Sequence, residues 1–272
     1  MSKKISQFAQ IIDRDDNDWL LIEEASTGAY KRIKVSDFIA GLTTGNTSTP
    51  TISDPYFSDV VFLLHLNGDN NTTVFPDVKG KNVTASGNAK ISTYKSRFGG
   101  SSAFFGGGID YLNIPYSADF IFGTSEFTIE FFVNFDPLPA SDNTYYNVFE
   151  LGTYQNGIRV GLFRHQGLTR IEVDFNNSFY YDKAWSPSPD TNSWYHVAVT
   201  RDQGILRYFI DGILIGYASN NSSFSPSIGG RIGGTENASS QSHFGYVDEV
   251  RVTKKCRYTA NFTPPNEPFF NN

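Results

Sequence analysis

The segment from Glu126 to Phe135 alternates between apolar and polar side chains with a period of two. Its apolar positions are Phe127, Ile129, Phe131, Val133 and Phe135. Its polar positions are Glu126, Thr128, Glu130 and Asn134. Since successive side chains of a β-strand point to opposite faces, this pattern predicts a strand with one buried face. The period of two recurs in other segments of the chain, whereas helical periodicity is almost absent. Together these patterns restrict the fold to the all-β class.

Turn residues divide the rest of the chain into further strands. The strongest hairpin signal is Asp211-Gly212, because both residues readily take the positive φ values of a two-residue turn. Gln166-Gly167 predicts a second hairpin. The predicted strands are 58–66, 157–163, 169–175, 194–201, 206–210, 213–217 and 246–253. Many short strands indicate an antiparallel β-sandwich or jelly roll, with the 24 Phe residues filling the space between two sheets.

Composition divides the chain into three parts. Residues 42–56 are rich in Thr, Ser, Gly and Pro and read as a linker. Residues 1–41 form a small module before it, and residues 57–272 form the sandwich after it. Within the module, strands at 19–23 and 30–35 predict a hairpin, followed by a short helix. About 40 residues rarely fold alone, so we expect the module to fold against its own copies, a partner protein or the main domain.

Charge and cysteine content exclude several classes of protein. The net charge of −6 comes with no basic block, so we do not expect nucleic-acid binding. The single cysteine, Cys256, excludes an internal disulfide and a cysteine-based zinc site. No segment approaches the roughly 20 apolar residues of a membrane span, so we expect no membrane insertion.

Three ordered motifs resemble a known family. They are FGGSSAFFGGGIDYLNIPYSADFIFGTSEFTIEFFV at 98–133, WYHVAVTRDQGILRYFIDGILIG at 194–216 and GYVDEVRVTKKCRYTANFTPPNEPF at 245–269. All three resemble laminin G-like, concanavalin A-type jelly rolls, and the last resembles copies in bacteriophage structural proteins. Residues 5–41 resemble the amino-terminal module of phage tail-fibre and appendage proteins. The expected fold is therefore a concanavalin A-like jelly roll preceded by a small hairpin and short-helix module.

The resemblance implies a non-enzymatic virion protein of a tail fibre or appendage. Residues 1–41 would attach to other virion proteins and form a homo-oligomer, for which we expect a trimer. The jelly roll would bind a glycan or another receptor on the host surface. The alternative is a capsid or tail decoration subunit with protein–protein contacts alone, and a glycan hydrolase is the hypothesis from the enzyme class.

Aromatic residues in polar segments are the candidate ligand-binding residues. We expect them in two loops, at Tyr145, Tyr146, Tyr180, Tyr181 and Trp185. Tyr and Trp there can stack on sugar rings or anchor a protein interface. The alternative is that they pack down onto the sandwich as loop anchors.

A hydrolase would need paired carboxylates, and Glu172 and Asp174 are the candidate pair. Two residues apart on a strand, they would lie about 6.6 Å apart along it, a distance that glycosidase mechanisms allow. The family pattern needs a further acid, where this chain has Phe175-Asn176-Asn177-Ser178. We therefore expect two solvent-facing acids opposite a buried strand face, and no catalytic residues.

No cofactor is expected to be required, although the resemblance implies a structural calcium ion. Its ligands would be Asp77 and Asp248, with backbone carbonyls and waters. The alternative is that Asp77 forms a turn and Asp248 pairs with a nearby arginine such as Arg251. The histidines show no metal-ligand spacing, and we expect structural, hydrogen-bonded roles for His65 and His196.

Overall fold

The structure, a computed structural model, describes residues 19–23, 30–34, 53–153, 155–191, 193–236 and 241–272. The chain divides into two compact units, Met1–Ile52 and Ser53–Asn272. In the first, β1 (Trp19–Glu23) pairs antiparallel with β2 (Tyr30–Lys34), which confirms the predicted hairpin. The predicted helix after it lies outside the described residues, and the predicted domain boundaries stay predictions.

Two sheets make up the second unit. Its first strands are β3 (Val60–Leu64), β4 (Phe75–Pro76), β5 (Asn82–Ser86), β6 (Lys90–Ser92), β7 (Ser102–Gly106), β8 (Tyr111–Ile114), β9 (Phe127–Phe135) and β10 (Thr144–Gly152). The later strands are β11 (Gly157–His165), β12 (Leu168–Phe175), β13 (Ser178–Ala184), β14 (Tyr195–Asp202), β15 (Ile205–Ile210), β16 (Ile213–Ser219), β17 (Gly230–Ile232) and β18 (Phe244–Thr253). Two 3₁₀ helices span Phe57–Asp59 and Ala118–Phe120.

The strand order confirms the predicted antiparallel sandwich. One sheet, here the front sheet, has the order β13-β12-β11-β10-β17-β8-β5-β4. The other, the back sheet, has the order β16-β15-β14-β9-β18-β7-β6, with β3 also paired to β18. Among the described residues, no helix combines the length and the apolar character needed to cross a membrane.

Phenylalanine fills the space between the two sheets, as the alternation predicts. Phe127, Phe131 and Phe135 of β9 are buried in the main core. The Phe131 ring packs near-parallel to Phe149 of the front sheet at 6.2 Å, and Phe127 packs likewise on Phe175 at 6.4 Å. Burying rings of this size supplies much of the stability of a sandwich.

Part of the outer face of the back sheet, around Thr128, Glu130 and Phe132, is covered, which the strand pattern did not predict. Residues 254–272 run across it without regular secondary structure. The hydroxyl of Thr128 donates to the carbonyl of Lys255 at 2.7 Å. Phe269 packs on Phe132 in a second, smaller hydrophobic cluster. Glu130 is therefore fully buried rather than exposed to solvent.

Buried Glu130 is surrounded by donors. It accepts hydrogen bonds from Arg251 Nε at 2.9 Å and from the Tyr258 hydroxyl at 2.9 Å, and it lies 3.2 Å from His196 Nε2. Burial alone would raise the pKa of Glu130, but Arg251 and His196 outweigh it and hold the pKa below its usual value. The structural role predicted for His196 is confirmed. That of His65 is too, because its Nδ1 lies 2.8 Å from a Glu249 carboxylate oxygen.

Both predicted hairpins are present, with matching turns. Gln166 and Gly167 have φ of 51° and 74°, and Asp211 and Gly212 have φ of 47° and 74°. Positive φ at both central residues is the geometry of a two-residue turn that fits the strand twist. The turns differ in one respect, because a Cβ at Gly212 would lie 1.9 Å from the carbonyl oxygen of Phe262, while Gly167 faces open space.

The two ends of the second unit meet. The backbone amide of Asp54 donates to the carbonyl of Asn272 at 2.7 Å. Next to this bond, Arg257 donates through both terminal nitrogens to the Asp54 carboxylate, at 2.9 and 2.6 Å. Bidentate pairs of this kind fix orientation as well as distance. Hydrogen bonds at Asp54 therefore hold the segment before β3 against the segment after β18.

Candidate functional site

Three partly exposed aromatic rings lie together on the outer face of the front sheet. Tyr145 of β10 stands directly opposite Phe163 of β11, and their rings stack at 4.1 Å with 14° between their planes. His165 lies two residues further along β11 on the same face, with its ring 5.5 Å from Phe163 and again 14° from parallel. We call Tyr145, Phe163 and His165 the ring row. Strand register alone places them, since alternate residues share a face.

A shallow cleft of mixed polarity adjoins the ring row. Its lining includes Tyr145, Asn147, Arg159, Gly161, Glu172 and Gln241. The cavity volume is about 20 Å³, which corresponds to about one water molecule. A ligand would therefore lie on the sheet surface, with only small groups entering the cleft.

Buried charges fix the far side of this cleft. Arg159 donates to Asp174 at 2.7 Å, and its Nε lies 3.9 Å from Glu150. The backbone amide of Glu236 also donates to Glu150, at 2.7 Å. Burial raises the pKa of Glu150 to about 7, although the Glu236 amide and the Arg159 guanidinium act in the opposite direction. This cluster therefore holds the backbone at Glu236 against β10, next to β11.

The candidate hydrolase pair does not form two exposed carboxylates. Glu172 is partly exposed at the cleft, while Asp174 is only 2% exposed and ion-paired with Arg159. A glycosidase needs both carboxyl groups beside the scissile bond. The expectation that both acids face solvent is also wrong for Asp174, because Arg159 reaches across from β11 and covers it.

Two of the predicted ligand-binding residues lie in a strand rather than in a loop. Tyr145 and Tyr146 are consecutive in β10, so their side chains point to opposite faces. Tyr145 joins the ring row, whereas Tyr146 is 6% exposed and packs in the core against Phe244. The placement of both tyrosines in a loop is wrong. Tyr146 faces the core and is not presented on the surface.

The other three predicted residues belong to the adjacent edge of the front sheet. Tyr180 and Tyr181 lie in strand β13, not in a loop, and their side chains lie outside the described part of the structure. Trp185 follows β13 and is partly buried, with its ring edge-on to Phe135 at 6.1 Å and to Tyr195 at 4.9 Å. Trp185 thus takes the anchoring role that was the alternative in the sequence.

Phe163 and His165 were missed by sequence reasoning. The segment Gly157–His165 carries Leu162 between Phe163 and Gly161, so a period-two analysis of β11 assigns Phe163 and His165 to the outer face. That signal was available, but it acquires meaning only when Tyr145 is known to stand opposite. The pairing of β10 with β11 supplies this information.

The predicted calcium ligands act instead as acceptors for separate backbone segments. Asp77 accepts from the amide of Leu63 at 2.7 Å and from that of Lys81 at 2.8 Å. Asp248 accepts from the amides of Arg97 and Phe98, at 2.8 and 3.0 Å. Within the described ranges, no group of three or more His, Cys, Asp or Glu side chains is placed to hold a metal ion. The two carboxylates therefore bond to backbone amides of different segments, and calcium binding stays a prediction.

The alternative roles for these acids are half right. Asp77 does form a turn, because it bonds to the amide four residues ahead at Lys81. Asp248 does not pair with Arg251, whose guanidinium is directed to Glu130 and Asp54. Burial raises the pKa of Asp248 to about 8, which favours its neutral form.

A sequence profile of the concanavalin A-like lectin/glucanases superfamily matches residues 105–261, more than half of the chain. The chain belongs to this superfamily, which confirms the predicted fold family. No curated protein matches the sequence. The resemblance to phage proteins stays a prediction.

Solved structures of low sequence identity share the fold. The binding domain of Paraclostridial Mosquitocidal Protein 1 aligns with a TM-score of 0.57 and 14% identity, over 75% of this chain and 50% of that one. The receptor binding domain of botulinum neurotoxin C/D mosaic serotype gives 0.55 and 13%, over 74% and 49%. This chain therefore spans about half the length of either toxin domain.

The alignment with a third similar structure covers almost the whole length of that structure. It is domain 4 of AbnA, a GH43 extracellular arabinanase from Geobacillus stearothermophilus, in complex with arabinotriose. The TM-score is 0.51 at 15% identity, over 73% of this chain and 93% of that one. At these identities the similarity shows the fold alone.

Proposed function

We propose that the sandwich binds carbohydrate on the outer face of its front sheet, at the ring row. The observation that carries the proposal is that Tyr145, Phe163 and His165 are partly exposed, near-parallel and next to a cleft with amide, guanidinium and carboxylate groups. Aromatic rings provide apolar surface for the C–H groups of a sugar, and a few placed polar groups bond its hydroxyls. The shallow cleft suits a sugar that rests on the sheet.

Charge favours an uncharged sugar at this surface. Arg159 is already paired with Asp174, so its charge is balanced within the protein. Recruiting Arg159 to an anionic ligand would break its ion pair with the buried Asp174 carboxylate, which is costly. The similar structures support a binding role, since two are binding domains of toxins and one was solved with arabinotriose.

The proposed function is binding without catalysis. A retaining or inverting glycosidase needs two carboxyl groups that flank one bond. The burial of Asp174 removes it from contact with a substrate, so Glu172 and Asp174 do not form such a pair. We therefore expect no sugar release from any glycan that the chain binds.

A defined set of variants tests the ring row. A glycan array of bacterial surface oligosaccharides identifies a bound glycan, and calorimetric titration then compares the wild type with Phe163→Ala, Tyr145→Ala and the control Tyr217→Ala. Tyr217 is 72% exposed and lies on β16 of the back sheet. Loss of a stacking ring should weaken binding at least tenfold, or about 1.4 kcal/mol. Unchanged dissociation constants in both ring-row variants, or no glycan bound by the wild type, would refute the proposal.

For the biological setting, we propose a bacteriophage virion protein of the tail-fibre or appendage type. Residues 1–41 would attach the chain to other virion proteins and form a homotrimer, and the sandwich would contact host-surface glycans. The support is the resemblance of residues 5–41 and 245–269 to phage proteins. Analytical ultracentrifugation should show a trimer for the full chain and a monomer after deletion of residues 1–41. A deletion variant that stays trimeric would contradict this role for the module.

A further inference from the structure

A second group of aromatic rings lies on the outer face of the back sheet. Tyr94, just after β6, is 79% exposed. Its ring lies 6.4 Å from Tyr246 of β18 with 28° between the planes, and the ring of Phe104 of β7 lies 5.2 Å from that of Tyr246. Tyr246 is paired in register with both Phe104 and Asn134, so these three residues form one row across β7, β18 and β9.

The exposed ring of Tyr94 is held in place from below. The Tyr94 amide donates to the Ser92 hydroxyl at 3.2 Å, which fixes the backbone before the ring. Tyr246 beneath it is buried, so the stack has one covered ring and one exposed ring. A single exposed aromatic residue needs no explanation, but an exposed ring that packs near-parallel on a buried neighbour offers a stacking surface at lower entropic cost than an isolated ring.

An acidic group stands beside these rings, because the Lys95 ammonium that binds it lies 5.5 Å from the centre of the Tyr246 ring. The Lys95 ammonium donates to Asp136 Oδ2 at 2.8 Å, to Asn134 Oδ1 at 3.1 Å and to the Thr191 carbonyl at 3.2 Å. Three acceptors use the full donor capacity of an ammonium group. Asp136 stays 45% exposed and has acceptor capacity beyond the Lys95 bond. The surface therefore offers a ring to stack on and a carboxylate that accepts hydroxyl protons.

We propose that Tyr94, Tyr246 and Asp136 form a second carbohydrate site, which takes one uncharged sugar ring. The sugar packs a C–H face on the outer side of Tyr94 and donates a hydroxyl to Asp136. Hydrogen bonds to an ionised acceptor are about twice as strong as neutral ones. An anionic ligand is disfavoured, because Asp136 repels it and the Lys95 ammonium is already fully bonded. This inference does not depend on the ring row.

The two surfaces flank the same connection of the chain. Residues 136–143 join β9 of the back sheet to β10 of the front sheet. Asp136 begins this connection at the Tyr94 surface. Asp142, near its other end, accepts from the amide of Gly167 at 3.0 Å, at the tip of the hairpin that carries Phe163 and His165. Two weak sites at one end of the sandwich would add avidity on a densely glycosylated surface.

Fluorine NMR of the full chain labelled with 3-fluorotyrosine separates the two sites. The chain has 15 Tyr residues, so Tyr94, Tyr145 and Tyr246 can be assigned by substitution. Arabinotriose, cellotriose, maltotriose and chitotriose serve as the probes. At least one should shift the Tyr94 and Tyr246 resonances in a saturable manner, and the shift should persist in Tyr145→Ala.

Variants then test the roles of the ring and of the acid. With Tyr246 as the reporter, Tyr94→Ala should weaken binding at least tenfold, and Tyr94→Phe should stay within threefold of the wild type. Asp136→Asn should weaken binding about threefold or more. The control Tyr217→Ala, at a tyrosine nearly as exposed as Tyr94, should have no effect.

The outcomes distinguish this proposal from that of the ring row. Shifts at Tyr94 with a silent Tyr145 would support the second site and count against the first. Shifts at Tyr145 alone, or no response to any of the four sugars, would overturn the second site. Equal losses in Tyr94→Ala and Tyr217→Ala would overturn it as well, because the effect would then not depend on the stacked pair.

Discussion

The two hairpin turns allow a matched test of how the carboxyl-terminal segment is held. Gly167 and Gly212 occupy the same position of equivalent turns and have the same φ of 74°. The space above them differs, because a Cβ at Gly167 meets nothing within 4 Å, whereas one at Gly212 would lie 1.9 Å from the Phe262 carbonyl oxygen. Replacing each glycine by alanine therefore separates backbone strain from the close approach of the segment.

The expected costs follow from these distances. A positive φ costs an alanine about 1–2 kcal/mol, which is the whole expected effect of Gly167→Ala. In Gly212→Ala, Phe262 must also move by about 1.5 Å to reach an ordinary contact of 3.4 Å. That shift breaks the bond from the Phe262 amide to the Gly212 carbonyl and disturbs the ring packing of Phe262 on Phe209. Overpacking and the lost bond add about 2–4 kcal/mol.

Equilibrium urea unfolding of the two variants at the same pH provides the measurement. Gly212→Ala should be less stable than Gly167→Ala by about 2–4 kcal/mol. Limited proteolysis should also cleave residues 254–272 faster in Gly212→Ala, because the segment is displaced from the sheet. Free energies of unfolding that agree within about 0.5 kcal/mol, the usual scatter of neutral surface changes, would refute the reasoning.

Three further predictions concern buried groups of the sandwich. Phe131→Ala should lower the free energy of unfolding by about 3–5 kcal/mol in denaturant titrations, because it opens a cavity between the sheets. Arg201→Met should cost about 3 kcal/mol or more in thermal unfolding, since the buried guanidinium satisfies three backbone carbonyls. Burial raises the pKa of Asp248 from 3.8 to about 8, so the folded chain binds this proton more tightly than the unfolded chain. Stability from this group should fall as pH rises from 4 to 8, by at most about 1.4 kcal/mol per pH unit, and Asp248→Asn should remove that slope; an unchanged slope would contradict it.

The core and the hairpins could be predicted because they depend on local signals. The alternation of β9 assigns Phe127, Phe131 and Phe135 to one face, and Asp211-Gly212 fixes a turn without information from elsewhere in the chain. The same alternation cannot report what covers the other face. Glu130 is polar and lies opposite the core, yet residues 254–272 bury it, and that segment has no periodicity from which its path could be read.

The candidate site was only partly predictable, for a different reason. Tyr145 was recognised as an exposed aromatic, but the polar residues around it concealed a strand, and Tyr146 was placed on the surface with it. The ring row exists because β10 and β11 pair in a register that sets Tyr145 against Phe163. Such a constellation combines residues from two strands, and a single sequence does not specify which register they adopt.

The hydrogen bond between the Asp54 amide and the Asn272 carbonyl places the two ends of the second unit side by side. A polypeptide whose ends meet can be reopened elsewhere without loss of its core contacts. Linking residue 272 to residue 53 and cutting between Gln166 and Gly167 should give a circular permutant that folds. Because its two ends are adjacent, the sandwich could also be inserted into a surface loop of another protein. Two neighbouring connections would then link it to that protein.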